Sequence, residues 1–350
     1  MSRTISIGAI QMIAQPAPTS HRLERAEALV IQAARDGAQL VVLPEVFNTG
    51  YEYSDGNYLR AEPLDGPTVT WMKQSAARHG VHLAGSLLLL DGSDIYNAML
   101  LVVPEGRVWR YDKNYPWAWE RTYFRERRDI TVADTQLGKL GMMICWDTAH
   151  PQLWARYAGQ VDAMVIASCP PAVHDMTFVF PNGQRVRSQA VGPIMRTVKQ
   201  TSGEMFGVFL RRQAVHLGVP VVNTTGTGWF STMIPLPRLS FALYATMNPL
   251  LWRHLAHAQV VRVETGYFNE TYVADASGHV LAHVPPEQEG YVVTQVLCAD
   301  SPPQPKGKYP PYGIHPVAYL FDVMANAILA PVYRQGMRRV LGNQNAKSQT

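Results

Sequence analysis

Three features of the 350-residue sequence predict an α/β fold. Apolar runs of strand length alternate with stretches whose apolar residues recur at helical spacing. The runs are continuously apolar, as strands covered on both faces must be. Hydrophobic residues make up 47% of the chain and charged residues 17%, which supplies a large core and argues against disorder.

TISIGAIQM, residues 4–12, is read as the first strand. A helix over 20–36 follows: Leu23, Ala26, Leu29, Val30 and Ala33 share one face, Ser20 is placed to cap the start, and Gly37 stops it. AQLVVLPE, 38–45, is a short apolar strand. Residues 67–80 predict a second helix, with Pro67 at its start and Gly80 at its end. VHLAGSLLLL, 81–90, is another strand, and NAMLLVVPEGRVWRYDK, 97–113, is a hairpin turning at PEG. LGMMIC (140–145), a helix at 151–158 and VDAMVIAS (161–168) continue the alternation. After 170 it loosens. It returns in a helix at 205–217 ending at Gly218, in VPVVNTT, in a hairpin turning at Ser277-Gly278, and in GYVVTQV.

The net charge of +4 is mild and the basic residues are dispersed, so nucleic-acid binding is not expected. Cys145, Cys169 and Cys298 show neither CxxC spacing nor paired histidines, so neither a disulfide framework nor a zinc site is expected. Reduced thiols in a cytoplasmic protein are the simplest reading. MSRTISIGAIQM lacks the apolar region and cleavage site of a secretory signal, and no uncharged stretch approaches the ~20 apolar residues of a membrane span.

Reactive groups in open α/β folds gather beyond the carboxyl ends of strands. Glu45 ends LVVLPE, Lys113 ends VWRYDK and Cys145 ends LGMMIC. Taken singly, each has an ordinary reading: a solvated glutamate, a lysine paired on the surface, a small buried thiol. Together, a thiol, a carboxylate and an ammonium suffice for acyl transfer.

LVVLPEVFNTGY, YDKNYPWAWERTYF and GKLGMMICWDTAHPQLW resemble, in order, spacing and flanking residues, three signature blocks of the nitrilase superfamily of carbon–nitrogen hydrolases. GAIQM, RRQAVHLGVPVVNTTGTG and TYVADASGHVLAH resemble further family segments, so the likeness spans 1–170, 211–228 and 270–298. It implies a four-layer αββα sandwich over 1–299, with copies pairing through helices near the active site into a dimer or larger homo-oligomer. It assigns Glu45 as general base, Lys113 as transition-state stabiliser and Cys145 as nucleophile. Glu120, in ERTYF, matches a second family glutamate that orients Lys113 or the substrate nitrogen. Its ordinary reading is a surface glutamate among Arg121, Arg125 and Arg127.

On this resemblance, Lys113 and the dipole of the helix near Pro151 favour a Cys145 thiolate. The backbone N–H of Trp146 and the Lys113 ammonium hold the oxyanion. Glu45 passes a proton to the leaving amine and then activates water. No metal or organic cofactor is called for. CWD resembles the Cys-Trp-Glu of true nitrilases. Lys113, Pro116 and Glu120 before Tyr123-Phe124, with Asp147 two places past the cysteine, lean toward amidases and carbamoylases. The expected function is hydrolysis of a small-molecule amide or carbamoyl bond through a thioester. The alternatives are a nitrilase, an N-acyltransferase using the same thioester, and a non-catalytic scaffold.

Residues 173–210, 229–265 and 300–350 depart from the family pattern. In the tail, Val317, Leu320, Val323, Met324, Ala327 and Ile328 predict an amphipathic helix over 316–340 that ends with Arg334, Arg338 and Arg339. Two readings compete. Either these segments pack on their own fold or on a neighbouring subunit, or 229–265 and 313–340 form an apolar, basic-rimmed surface on the inner face of a membrane. Trp117, Trp119, Trp146, Phe178 and Trp229 are expected to line the pocket mouth and to favour an apolar acyl group.

Overall fold

A computed structural model describes residues 3–172, 175–188, 204–247, 249–308, 310 and 315–347. The first part of the chain runs β1 (Arg3–Ile13), α1 (Thr19–Arg35), β2 (Leu40–Val42), α2 (Pro67–His79), β3 (His82–Asp91), β4 (Asp94–Val102) and β5 (Val108–Asp112). Next come β6 (Val132–Thr135), β7 (Gly138–Ile144), α3 (Pro151–Tyr157), β8 (Ala163–Ala167), β9 (Thr177–Val179) and β10 (Arg185–Arg187). Then follow α4 (Leu210–Leu217), β11 (Val221–Thr224), β12 (Gly226–Thr227), β13 (Phe230–Met233), α5 (Pro237–Met247) and β14 (Arg262–Thr265). The chain closes with β15 (Tyr272–Ala274), β16 (Val280–His283), β17 (Gly290–Cys298) and α6 (Pro316–Lys347).

One sheet has the order β12-β1-β2-β3-β4-β5, with β17 antiparallel to β1 from Arg3 opposite Cys298 to Gln11 opposite Gly290. The other has the order β16-β15-β11-β8-β7-β6. The sheets face each other: Ile5, Ile7, Val42 and Met99 of the first share a core with Met142, Ile144, Val165 and Val222 of the second. The outer face of the first sheet takes α1 and α2 through Ala26, Val30, Met72 and Ala76. The outer face of the second takes α3 and α4 through Leu153, Trp154, Leu210 and Ala214. The result is a four-layer αββα sandwich. Because both faces of each sheet are covered, β3 is buried from His82 to Leu89, which explains its continuous apolar run.

Local chemistry sets the element ends. Pro67 takes the first turn of α2, and Gly80 ends that helix at φ 64°, a left-handed conformation that costs glycine little. α1 starts at Thr19, not at the expected Ser20 cap, because Pro18 holds the preceding backbone extended at φ −52°, ψ 137°. The strand expected from Asn97 begins at Asp94, where Gly92 at φ 61° lets β3 turn directly into β4.

The departing segments add structure beyond the sandwich. Residues 177–187 and 230–265 build an antiparallel sheet, β10-β9-β14-β13, backed by α5 and a 3-10 stretch over Pro249–His257. Phe178, Phe230, Phe241 and Tyr244 belong to its core. Of the insert expected at 173–210, residues 173–174 and 189–203 lie outside the described residues. The helix expected at 205–217 opens with a π turn over Met205–Phe209 before α4.

The tail helix α6 continues past the expected 340 to Lys347 and carries Pro331 inside it. By length and composition, its stretch Pro316–Val340 is apolar enough to cross a membrane. Its buried side is Phe321, Asp322, Ala325, Leu329, Tyr333 and Met337, a spacing of about one turn each. Of the positions singled out by hydrophobic spacing, Met324 and Ile328 pack half-buried at the edge of that side, and Leu320, Val323 and Ala327 are exposed. The packed face was hidden because two of its members, Asp322 and Tyr333, are polar. Leu250 and Trp252 of the second insert are exposed as well.

The Tyr333 hydroxyl accepts the backbone N–H of Ile95 at 2.8 Å and so ties α6 to β4. Tyr333→Phe strands that buried donor and is expected to lower stability by about 1–3 kcal/mol in denaturant titration. An unchanged unfolding midpoint would show the contact to be idle.

Candidate active site

β7 ends at Ile144, and Cys145 takes φ 48°, a left-handed conformation that costs a non-glycine residue about 1–3 kcal/mol. A 3-10 turn over Cys145–Ala149 holds it. Thr148 Oγ1 donates to the Cys145 carbonyl at 2.8 Å, and Trp154 Nε1 donates to the Thr148 carbonyl at 3.0 Å. Asp147 gathers the surroundings. Its carboxylate accepts the backbone N–H of Asn114 at 3.1 Å, Tyr115 at 2.7 Å and Ile144 at 3.3 Å, and the Tyr111 hydroxyl at 2.7 Å. Burial pushes its pKa up to about 6, against these hydrogen bonds. Asp147 thus joins the end of β7, which carries Cys145, to the end of β5, which carries Lys113.

Glu45 follows β2, and its neighbour Val46 is also left-handed at φ 50°, rare for a β-branched residue. Ser86 Oγ accepts the Val46 N–H at 2.9 Å and donates to Asn97 Oδ1 at 2.9 Å. Asn97 Nδ2 in turn donates to Glu45 Oε1 at 2.8 Å, and the Cys169 backbone N–H donates to Glu45 Oε2 at 2.8 Å. The Lys113 ammonium lies 2.8 Å from Glu45 Oε1, and 2.9 and 2.7 Å from the two oxygens of Glu120. Glu120 also accepts the Trp117 N–H at 2.7 Å and the Tyr51 hydroxyl. It is buried, so the reading of it as a surface glutamate does not hold.

Two carboxylates and one ammonium therefore share a site from which water is excluded. Burial opposes the charge on Lys113, but Glu120 and Glu45 together outweigh it and hold its pKa well above the ordinary lysine value. Burial raises Glu45, with Lys113 opposing and Glu120 adding. The neighbouring Cys145 thiol opposes that rise. Burial, then Glu45, push the thiol well above its usual value, and Lys113 only partly offsets them. The charge of Lys113, expected to favour a thiolate, is here matched by two carboxylates.

Cys145 and Glu120 border a narrow cavity of about 40 Å³. Its other walls include Tyr51, Trp117, Trp146, Phe206 and Phe268. Lys113 is fully buried behind it. Of the aromatics expected at the mouth, Trp117 and Trp146 line the cavity. Trp119 packs edge-on beneath Trp117, Phe178 sits in the core of the small sheet, and Trp229 is exposed. The sequence reading missed Tyr51, Asn97, Phe206 and Phe268. Asn97 had one signal, a lone amide in the apolar strand IYNAML; Phe206 and Phe268 had none. Among the described residues, no cluster of three or more His, Cys, Asp or Glu is placed to hold a metal ion.

Asp147→Asn turns one oxygen into a donor that faces donors. It is expected to cost about 1–3 kcal/mol in unfolding free energy and to slow iodoacetamide labelling of Cys145 in the folded protein. Wild-type stability together with wild-type labelling would contradict this.

Residues 6–301 match the family model described as carbon-nitrogen hydrolase. A nitrilase of Pyrococcus abyssi is 32% identical over 186 residues, which cover 52% of this chain and 68% of the relative. A bifunctional nitrilase/nitrile hydratase of Lupinus angustifolius is 33% identical over 166 residues, 41% of this chain and 47% of the relative. The aligned stretch thus spans from about half to two thirds of these curated relatives. Among solved structures, a CN-hydrolase superfamily protein of Xanthomonas campestris superposes with a TM-score of 0.60 at 18% identity, covering 84% of this chain and 90% of that one. An amidase from a Nesterenkonia species gives 0.59 at 17% identity, covering 83% and 89%. The matched span takes in both sheets and the cluster around Cys145, and the chain belongs to the carbon-nitrogen hydrolases of the nitrilase superfamily.

Proposed function

We propose that the protein cleaves a non-peptide amide or carbamoyl carbon–nitrogen bond through a thioester on Cys145. The observation that carries this reading is the Lys113 ammonium shared between Glu45 and Glu120, with Cys145 beside that cluster at the wall of one apolar cavity.

Cys145 Sγ attacks the carbonyl carbon while its proton moves to Glu45, so the thiolate arises only as the new bond forms. The oxyanion is held by the Lys113 ammonium and the Trp146 backbone N–H, each such donor being worth ~3–4 kcal/mol in comparable sites. The Glu45 carboxylic acid returns the proton to the leaving nitrogen, and the carbon–nitrogen bond breaks. Water then gives a proton to Glu45 and its oxygen adds to the thioester carbon. Loss of sulfur releases the acid, and the proton goes back to Cys145. Glu120 holds Lys113 in place throughout.

An amide is favoured over a nitrile by the likeness of the block from Lys113 to Tyr123-Phe124, and of Asp147 two places past Cys145, to amidases and carbamoylases. The narrow cavity, about 40 Å³ and walled by Tyr51, Trp117, Trp146, Phe206 and Phe268, favours a short, flat, apolar acyl group.

Ammonia or amine release from a panel of short and long amides, with matching nitriles, tests this. Short amides are expected to turn over, and Cys145→Ala to abolish turnover while still folding. A fully active Cys145→Ala protein, or turnover of nitriles alone, would refute it. The pH profile gives a second check. The base works as carboxylate and burial raises its pKa above the ordinary glutamate value, so kcat/KM is expected to fall with acid through an apparent pKa above that ordinary value. Glu45→Gln is expected to lower kcat by about 10²–10⁴-fold and to remove that limb. An acid limb that survives in Glu45→Gln would assign the base elsewhere.

A further inference from the structure

The family match ends at residue 301, and α6 lies beyond it. Yet α6 touches both turns that carry the site. Asp322 Oδ1 accepts the Ala118 N–H at 2.9 Å, and Oδ2 accepts Arg121 Nη2 at 3.0 Å. Glu120 sits between these two anchored residues. The turn needs such an anchor, because Ala118 is held left-handed at φ 37°. One residue before Asp322, the Phe321 ring packs on Trp117 at 5.9 Å. A further half-turn back, the Tyr319 ring meets Trp146 at 6.0 Å, and its hydroxyl donates to the Ala149 carbonyl, at the end of the turn that starts at Cys145.

From these contacts we infer that α6 is a working part of the active site and that Asp322 is a positioning residue for Glu120. Its carboxylate fixes the 118–122 turn at both ends, so that the Glu120 oxygens meet Lys113 and face the cavity. The inference rests on the proposed role of the Lys113 cluster. Asp322 touches no reacting atom; it acts through Glu120.

A double-mutant cycle reads this coupling. Asp322→Ala, Glu120→Gln and the double variant are compared by kcat and KM on the best amide, and by the rate of iodoacetamide labelling of Cys145. Labelling keeps the cycle readable even if no amide is turned over, so failure of the proposed reaction and failure of this inference are told apart. Asp322→Ala is expected to lower kcat by about 10²-fold with a smaller change in KM, as about 1 Å of misplacement does. Added to Glu120→Gln, it is expected to cost less than about threefold more, because the two act as one unit. Asp322→Asn, which keeps an acceptor for the Ala118 N–H, is expected to recover part of the loss and serves as the variant if Asp322→Ala fails to fold. Leu320→Ala, on the exposed side of α6, is expected to match wild type. Wild-type rates in Asp322→Ala and Asp322→Asn, or fully additive losses in the double variant, would overturn the inference.

Discussion

A buried ammonium shared by two carboxylates organises this molecule. Lys113 has no solvent exposure, and neither Glu45 nor Glu120 has more than a trace. Ions removed from water are tolerated only when paired and fully hydrogen-bonded. The chain meets that demand with Asn97, the backbone N–H of Cys169 and of Trp117, and the Tyr51 hydroxyl. These donors arise from separate elements of both sheets and from the loops at their ends. The need to satisfy one cluster therefore fixes how the sheet ends sit relative to one another. The left-handed backbones at Val46, Ala118 and Cys145 lie at its three approaches, where strain is held by the surrounding hydrogen bonds.

The same charge balance shapes the nucleophile. With two carboxylates against one ammonium, nothing is left over to stabilise a third anion, and the Cys145 thiol is pushed up. With the thiol beside the proposed base, its proton has a carboxylate to go to. In the proposed mechanism the sulfur becomes anionic only as a carbonyl takes up the developing charge. On this account Lys113 serves the oxyanion rather than the resting sulfur.

The strand and helix plan was legible because the sandwich covers both faces of each sheet, and so writes unbroken apolar runs into the chain. Glu45, Lys113 and Cys145 stood out as polar residues that end such runs, and the family blocks added Glu120. Asp147 was legible as a family marker, yet its place under the Cys145 turn was not, since its partners are backbone N–H groups. The small sheet β10-β9-β14-β13 escaped because β9 and β10 hold three residues each, too few for any periodicity to register. The packed face of α6 escaped for a different reason: Asp322 and Tyr333 are buried through specific hydrogen bonds that a hydrophobic pattern does not count.

The protonation of Cys145 at rest tests the central claim most directly. A difference infrared or Raman spectrum of wild type against Cys145→Ser, recorded on the unliganded protein near neutral pH, reads the S–H stretch of that one residue. The account predicts a Cys145 S–H band at full intensity. Absence of the band, with the sulfur already a thiolate, would contradict it, because the Lys113 charge would then be free to act on the sulfur.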